Sequence, residues 1–240
     1  MDRAGAIPGG PVRTLFLDAG GVLVDPDWAR VSRVLAGHGV EVAAEALAAA
    51  EPPAKRDLDR PHTIVTTDDR KRGGMYYRAV LRRAGFADPD GPAAAAAVDA
   101  LLEDHALYNL WSSVPPGVPG ALDRLRAAGF GLTVVSNADG KLEELFSSLD
   151  LLRRFDAVCD SGRLGCEKPD PRIFREALRR SGADPATTVH VGDFYEIDVV
   201  GARAAGLRAV LVDPAGVQAD RDCPRVASLP ALADRLLDGR

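Results

Sequence analysis

Strand-like and helix-like segments alternate through the second half of this chain, and that order constrains its fold more than any other feature. Short apolar runs of strand length recur between helical patterns, at residues 130–135, 155–159, 188–191 and 207–212. Repeated strand-then-helix order favours parallel strands joined by right-handed crossovers, so that all strand ends meet at one edge. Together with an apolar run at residues 12–17, this order predicts a doubly wound parallel α/β sheet.

A block without strand signals interrupts the alternation after Asp25. The spacing of apolar residues predicts helices over residues 28–35, 41–50, 75–84 and 93–110. Pro52 and Pro53 are expected to interrupt or kink the second helix, because proline lacks the backbone N–H that a helix interior needs. The polar residues 59–74 are expected to form a loop.

The helical block ends at a Ser-, Pro- and Gly-rich stretch, residues 112–117, which has the composition of a linker. We therefore predict a small helical domain, residues 26–114, inserted into an α/β domain. That α/β domain would comprise residues 1–25 and 115–240.

Composition excludes several classes of protein. The 30 Lys and Arg residues against 35 Asp and Glu residues give a net charge of −5 with no long basic block, so neither nucleic acid nor a membrane surface is an expected partner. Three cysteines without CxxC spacing indicate neither a zinc knuckle nor a disulfide framework. Residues 1–11 resemble a disordered leader, and no apolar run reaches the ~20 residues of a membrane span. We expect a cytoplasmic protein, as a monomer or homodimer.

The first strand-like run is followed directly by one carboxylate, Asp18, and the pair Gly20 and Gly21 begins two residues later. In open α/β sheets the carboxyl edge is where ligands bind, and glycine lets the backbone approach a bound oxyanion. Taken alone, the pattern is also that of an ordinary Asp-x-Gly turn.

Three later stretches converge on the same predicted edge. They are Ser136 with Asn137 after a strand, Lys168 before a helix start, and Asp193 with Asp198 after another strand. Each has a structural alternative. The first pair could be turn formers, Lys168 a solvated loop residue, and the two aspartates a helix N-terminal region.

The ordered set resembles the haloacid dehalogenase-like superfamily of hydrolases, in the subclass with a helical cap inserted after the first motif. The resemblance spans residues 14–213. It is carried by DAGGVL from Asp18, VSN from Val135, KPDPRIF from Lys168 and GDFYEID from Gly192. It implies a Rossmann-like core that uses Mg²⁺ to hydrolyse a small phosphorylated metabolite.

Chemistry and resemblance together give each position a role. A carboxylate at a strand tip can attack phosphorus, which makes Asp18 the predicted nucleophile. Mg²⁺ takes carboxylate and phosphate oxygens, and the predicted ligands are Asp18, Asp193, Asp198 and, by resemblance, the Gly20 carbonyl. Lys168 is predicted to act in catalysis and to pair with Asp18. The predicted substrate-binding residues are Ser136, Asn137, Lys168 and Gly21.

One position departs from the family pattern. Phosphatases of this superfamily usually carry a second Asp two residues after the nucleophile, and here that residue is Gly20. A general acid or base contributes about 10²- to 10⁴-fold in rate. Three readings follow: a substrate with a good leaving group, another acid such as Asp25, Asp27 or His62, or slow or absent turnover.

The leading hypothesis is a phosphatase, and the competing one is a catalytically weak phospholigand-binding or regulatory protein. A dehalogenase needs no metal, so retention of Gly192, Asp193 and Asp198 argues against that activity. A phosphonoacetaldehyde hydrolase needs a cap lysine for a Schiff base. The two lysines of the helical block, Lys55 and Lys71, are both expected to be solvated surface residues.

Overall fold

The computed structural model describes residue 7 and residues 10–238. They separate into two compact units. The residues up to Val24 and those from Val114 onward form an α/β unit, and Asp25–Ser113 form a helical unit. The predicted disordered leader, residues 1–11, falls mostly outside the described residues.

The α/β unit contains a six-stranded parallel sheet with the strand order β3-β2-β1-β4-β5-β6. This confirms the predicted doubly wound sheet. The strands are β1 (Thr14–Leu17), β2 (Gly131–Ser136), β3 (Ala157–Asp160), β4 (Thr188–Gly192), β5 (Arg208–Val212) and β6 (Arg225–Val226). The run at residues 207–212 is the last strand that the sequence predicts, and the additional two-residue strand β6 after it shows that this prediction is wrong.

Helices connect the strands of this unit. They are α6 (Val118–Ala127), α7 (Leu142–Ser148), α8 (Ser161–Leu164), α9 (Pro171–Ser181), α10 (Gly201–Ala204) and α11 (Leu229–Asp238). The sequence predicts a helix from the end of the pair Gly192 and Asp193 through Ala205, and this region begins with a π-helical segment, Tyr195–Val200, before α10. Asp170 followed by Pro171 is a sequence signal for a helix start, and α9 begins there with Asp170 as N-cap and proline at its first position.

The register of the central strands places the switch point of the sheet. Phe16 of β1 lies between Thr133 of β2 and His190 of β4. From β1 the sheet continues through β2 to β3 on one side, and from β4 it continues through β5 to β6 on the other. This reversal of strand order creates a crevice at the carboxyl ends of β1 and β4. Apolar residues such as Phe16 and Phe174 are fully buried around this centre and hold it rigid.

The helical unit contains five helices and, among its described residues, no strand beyond an isolated bridge between Asp25 and Ser113. The helices are α1 (Trp28–Ala36), α2 (Ala44–Leu58), α3 (Pro61–Thr66), α4 (Asp69–Arg83) and α5 (Pro92–Tyr108). None of the helices formed by the described residues is both long and apolar enough to cross a lipid bilayer.

The expected interruption of the second helix and the expected loop at residues 59–74 are wrong, whereas the alternative of a kink at the prolines stays a prediction. Helix α2 runs through Pro52 and Pro53, because its buried residues on both sides of the prolines pack against α1 and α4. Residues 59–74 are largely helical rather than a loop. Asp68 caps α4 by accepting a hydrogen bond from the Lys71 N–H, and Gly73 lets α4 approach the Leu102 side chain of α5 closely.

Candidate active site

The main chain places Asp18 at the switch point of the sheet. Its N–H donates to the carbonyl of Val191 over 2.9 Å, which extends the pairing of β1 with β4 by one residue. The chain then turns. Gly21 has a left-handed backbone (φ 68°), and its N–H donates to Val24 over 2.9 Å. Gly20 bridges to Val24 without a left-handed backbone, so its conformation does not itself require glycine.

Three donors orient the Asp18 carboxylate. Its Oδ1 accepts hydrogen bonds from the Ala19 N–H and from the Ser136 hydroxyl, each at 2.7 Å. Its Oδ2 lies 2.8 Å from the Lys168 ammonium. The carboxylate is thus fixed in orientation while 13% of its side chain stays exposed.

Lys168 is fully buried and bridges two carboxylates. Its Nζ lies 2.8 Å from Asp18 and 2.7 Å from Asp198. Burial alone would lower the pKa of Lys168, but the two carboxylates outweigh it and hold that pKa above the usual value. Lys168 therefore stays a cation.

Asn137 holds the backbone of Lys168 in place. Its Oδ1 accepts from the Lys168 N–H at 2.7 Å, and its Nδ2 donates to the Lys168 carbonyl at 3.0 Å. Both the oxygen and the nitrogen of the Asn137 amide are therefore hydrogen-bonded to the Lys168 backbone. This geometry indicates a role in positioning Lys168, whereas the substrate contact of Asn137 stays a prediction.

Asp198 is fully buried and accepts three hydrogen bonds. Its Oδ1 accepts from Lys168 at 2.7 Å and from His190 Nε2 at 2.9 Å, and its Oδ2 accepts from the Phe194 N–H at 2.9 Å. Burial alone would raise the pKa of Asp198, but Lys168 and His190 outweigh it and lower that pKa well below the usual range. A Cβ on Gly192 would lie 2.1 Å from Asp198 Cγ, which explains the glycine at this position.

Three carboxylates meet the basic requirement for a cation site. One oxygen each of Asp18, Asp193 and Asp198 can lie within 4.8 Å of the others. Hard carboxylate oxygens suit Mg²⁺, and the three negative charges exceed the single positive charge of Lys168. The donor set therefore fits a divalent cation.

The structure brings together most of the residues singled out from the sequence. The side chains of Asp18, Ser136, Lys168 and Asp198 form one hydrogen-bonded set, and Asp193 lies beside it. His190, which lies mid-strand between two valines and has the sequence context of a structural core residue, also belongs to this set through its contact with Asp198. The Gly21 N–H is used within its own turn, so its predicted substrate contact stays a prediction.

The helical unit has a polar cluster of its own. Lys55 is buried and lies 2.7 Å from Glu51, which also accepts a hydrogen bond from the Tyr76 hydroxyl. Lys55 Nζ lies 5.2 Å from the centre of the Trp111 ring. The expectation that Lys55 is a solvated surface residue is wrong, whereas Lys71 is exposed as expected.

The three candidates for the missing acid differ in their surroundings. Asp27 caps α1 by accepting from the Arg30 N–H, and His62 is exposed. Asp25 is half-buried, and no side-chain hydrogen bond to it is present among the described residues. Burial, followed by the nearby Glu51 carboxylate, raises the pKa of Asp25 despite the opposing charge of Lys55.

We expect Asp25→Asn to increase the free energy of unfolding at pH 7.5. The folded state binds the Asp25 proton more tightly than the unfolded state, so stability falls as pH rises from the unfolded pKa through the folded one. Asparagine removes this loss, and its advantage should shrink as pH is lowered toward about 4. Urea unfolding at pH 7.5 and 5 measures the effect, with exposed Asp99→Asn as control. A destabilised Asp25→Asn at pH 7.5 would contradict the expectation.

Comparisons with known proteins agree with this architecture. A family model described as haloacid dehalogenase-like hydrolase matches residues 12–206. The mouse haloacid dehalogenase-like hydrolase domain-containing protein 3 is 40% identical over 151 residues, covering 62% of this chain and 60% of that protein. A phosphoserine phosphatase of Thermus thermophilus is 36% identical over 138 residues, covering 57% and 53%. The chain thus spans about three fifths or less of these relatives' lengths.

A glyceraldehyde 3-phosphate phosphatase of Methanothermobacter thermautotrophicus is 40% identical over 108 residues, covering 45% of this chain and 48% of that protein. A HAD-hydrolase of Bacillus subtilis, solved with magnesium bound, has the same fold. Its TM-score is 0.66 at 18% identity, with 95% of this chain and 99% of that chain covered. The match of the family model over most of the sequence is decisive. The chain belongs to the haloacid dehalogenase-like hydrolase family.

Proposed function

We propose that the protein is a Mg²⁺-dependent phosphatase that hydrolyses a small phosphorylated metabolite through an aspartyl-phosphate on Asp18. One observation carries the proposal: the Asp18 carboxylate lies at the switch point of the sheet, held by Ser136 and Lys168. The relatives named glyceraldehyde 3-phosphate phosphatase and phosphoserine phosphatase support phosphate monoesters as the substrate class.

The reaction divides into two displacements at phosphorus. An Asp18 oxygen first bonds to phosphorus while the bond from phosphorus to the leaving oxygen breaks, and the leaving oxygen takes up a proton. A water oxygen then bonds to phosphorus while the bond to Asp18 breaks, which releases phosphate, returns the carboxylate and leaves one proton to solvent. Two displacements replace one difficult step.

Lys168 and Ser136 supply donors next to the attacking carboxylate. Fixed donors that meet developing charge in a water-poor site account for a large part of catalysis in many enzymes. Asn137 contributes through the Lys168 backbone, which it holds from both sides. Rigid placement of these groups matters because small errors in position cost large factors in rate.

Asp18, Asp193 and the Gly20 carbonyl would hold the Mg²⁺ ion. When bound, such an ion offsets the repulsion between a carboxylate and a phosphate dianion. Asp198 would act beside these ligands, because its side chain is 1% exposed and binds Lys168, His190 and the Phe194 N–H, whereas 13% of the Asp18 side chain is exposed.

Gly20 limits which phosphate esters would react quickly. No carboxyl is present where related phosphatases place their acid, so the leaving oxygen depends on its own stability or on another proton source. Acyl phosphates, sugar 1-phosphates and nitrophenyl phosphate have leaving groups that need the least assistance. We infer that such substrates would be turned over faster than simple alkyl phosphates.

The proposal is tested by phosphate release across acyl phosphates, sugar phosphates, nucleotides and p-nitrophenyl phosphate, with Mg²⁺ and with EDTA. Mg²⁺-dependent release that favours good leaving groups would support it. Absence of release from the whole panel would overturn it.

We expect Gly20→Asp to raise kcat for alkyl phosphates by at least ~10-fold, since a positioned acid is worth about 10²- to 10⁴-fold. The backbone of Gly20 is not left-handed, so an L-residue can adopt it. Gly20→Asn is the matched control, because it adds nearly the same volume without an acid. Equal rates for the two variants would show that the acid is not what limits turnover.

The second candidate is a phospholigand-binding or regulatory protein, and Gly20 is the observation that favours it. Such a protein would bind phosphate in the presence of Mg²⁺ and release none from the panel. Calorimetric titration with inorganic phosphate separates it from a protein without a phosphate site.

A further inference from the structure

A histidine in the middle of β4 is joined to the candidate active site through a buried hydrogen bond. His190 Nε2 lies 2.9 Å from Asp198 Oδ1, and the two side chains are 0% and 1% exposed. An ionised carboxylate only accepts hydrogen bonds, so Nε2 is the donor of this bond. The other ring nitrogen, Nδ1, has no hydrogen-bond partner in the described part of the chain. Among the described residues, the ring of His190 therefore makes its hydrogen bond to Asp198 alone.

The oxygen that His190 contacts is shared with Lys168. Asp198 Oδ1 accepts from Lys168 Nζ at 2.7 Å, and the same Nζ lies 2.8 Å from Asp18 Oδ2. One lone pair of the oxygen is used by the ring and the other by the ammonium. The bond from His190 thus fixes the rotation of the carboxylate on which the position of Lys168 depends.

Packing fixes the ring itself. His190 lies in β4 between two neighbouring strands, opposite Phe16 of β1 and Ala209 of β5. The sheet therefore holds its backbone from both sides. The Phe174 ring meets the imidazole edge to face, with ring centres 5.0 Å apart. A rigid donor is what a positioning role requires.

We propose that His190 is a positioning residue that, through Asp198, holds the Lys168 ammonium in register with the Asp18 carboxylate. Its effect on rate rests on the proposed phosphatase function, whereas its effect on the Lys168 position does not. The His190 ring contacts Asp198 and Phe174 and acts on the reacting atoms through other residues. Its loss should therefore lower kcat much more than it changes KM.

The test compares His190→Met with His190→Gln. Both side chains are similar in size, but only glutamine can place an N–H donor near the position of Nε2. We expect the Met variant to lose at least ~10-fold in kcat with KM within about 3-fold, and the Gln variant to recover most of the loss. Exposed His38→Met is the control and should match the wild type. Equal kcat values for the Met variant and the wild type would overturn the proposal, and so would equal losses in the Met and Gln variants.

Crystal structures of the same variants separate this proposal from the phosphatase proposal. If the wild type releases no phosphate from any substrate, the phosphatase proposal fails, and the Lys168 position still tests His190. We expect Nζ to leave Asp18 Oδ2 in the Met variant and to stay within hydrogen-bond distance in the Gln variant. An unmoved Lys168 in the Met variant would overturn the role of His190.

Discussion

Replacing Asp18 by asparagine should reduce kcat by roughly 10⁴-fold or more while the protein stays folded, because loss of a nucleophile is among the costliest single changes in an enzyme. The amide oxygen can still accept from Ser136 and from the Ala19 N–H, so the local turn should persist. Lys168 keeps Asp198 as a partner. The measurement is steady-state phosphate release from the best substrate of the panel, accompanied by circular dichroism.

Covalent trapping makes this prediction more specific. Acid quenching of wild type during turnover of a ³²P-labelled substrate should leave a hydroxylamine-sensitive phosphoprotein, and Asp18→Asn should leave none. Asp99→Asn, an exposed change of the same kind, should label as the wild type does. Full activity or full labelling of Asp18→Asn would contradict both the nucleophile and the aspartyl-phosphate.

The strand-end residues could be located from the sequence because a simple geometric rule links them. Parallel strands end at one edge, so Asp18 after β1 and Ser136 at the end of β2 must lie near each other. Asp193 follows β4, which is the other neighbour of β1. The order of strands and helices in the sequence is therefore enough to predict that these three side chains lie at the same edge of the sheet.

Contacts that depend on packing could not be located in this way. His190 sits inside a buried strand, where a histidine resembles any core residue, and Asp198 returns to it only through the π-helical segment that follows Asp193. Lys55 likewise resembles a surface lysine in sequence. Its burial depends on how the helices of its unit pack, and its partner Glu51 is charged as well.

Local rules failed where tertiary packing opposed them. Pro52 and Pro53 each remove a helical hydrogen bond, yet α2 continues because Leu47, Ala50, Ala54 and Leu58 are buried on the two sides. Burial of such residues contributes about 25 cal/mol per Å² of apolar surface, which can offset a lost backbone bond. Proline spacing alone carries no information on that burial.

Replacing Lys168 by methionine should have the largest effect on stability and a large effect on rate. Asp198 is fully buried, and without the ammonium its remaining donors among the described residues would be His190 and the Phe194 N–H. Removing one partner of a buried ion pair typically costs about 3–5 kcal/mol in the free energy of unfolding. In the molecules that stay folded, loss of a donor beside the attacking carboxylate should lower kcat by ~10²- to 10³-fold.

Two companion variants separate the effect on folding from the effect on catalysis. Lys71→Met removes an exposed lysine with a 3.9 Å contact to Asp68, and should change the free energy of unfolding by less than about 0.5 kcal/mol. Adding Asp198→Asn to Lys168→Met removes the uncompensated buried charge, so part of the lost stability should return while kcat stays low. Urea unfolding and phosphate release on all three proteins give both readouts. A stable, fully active Lys168→Met protein would show that the buried ammonium neither holds the fold together nor assists the reaction.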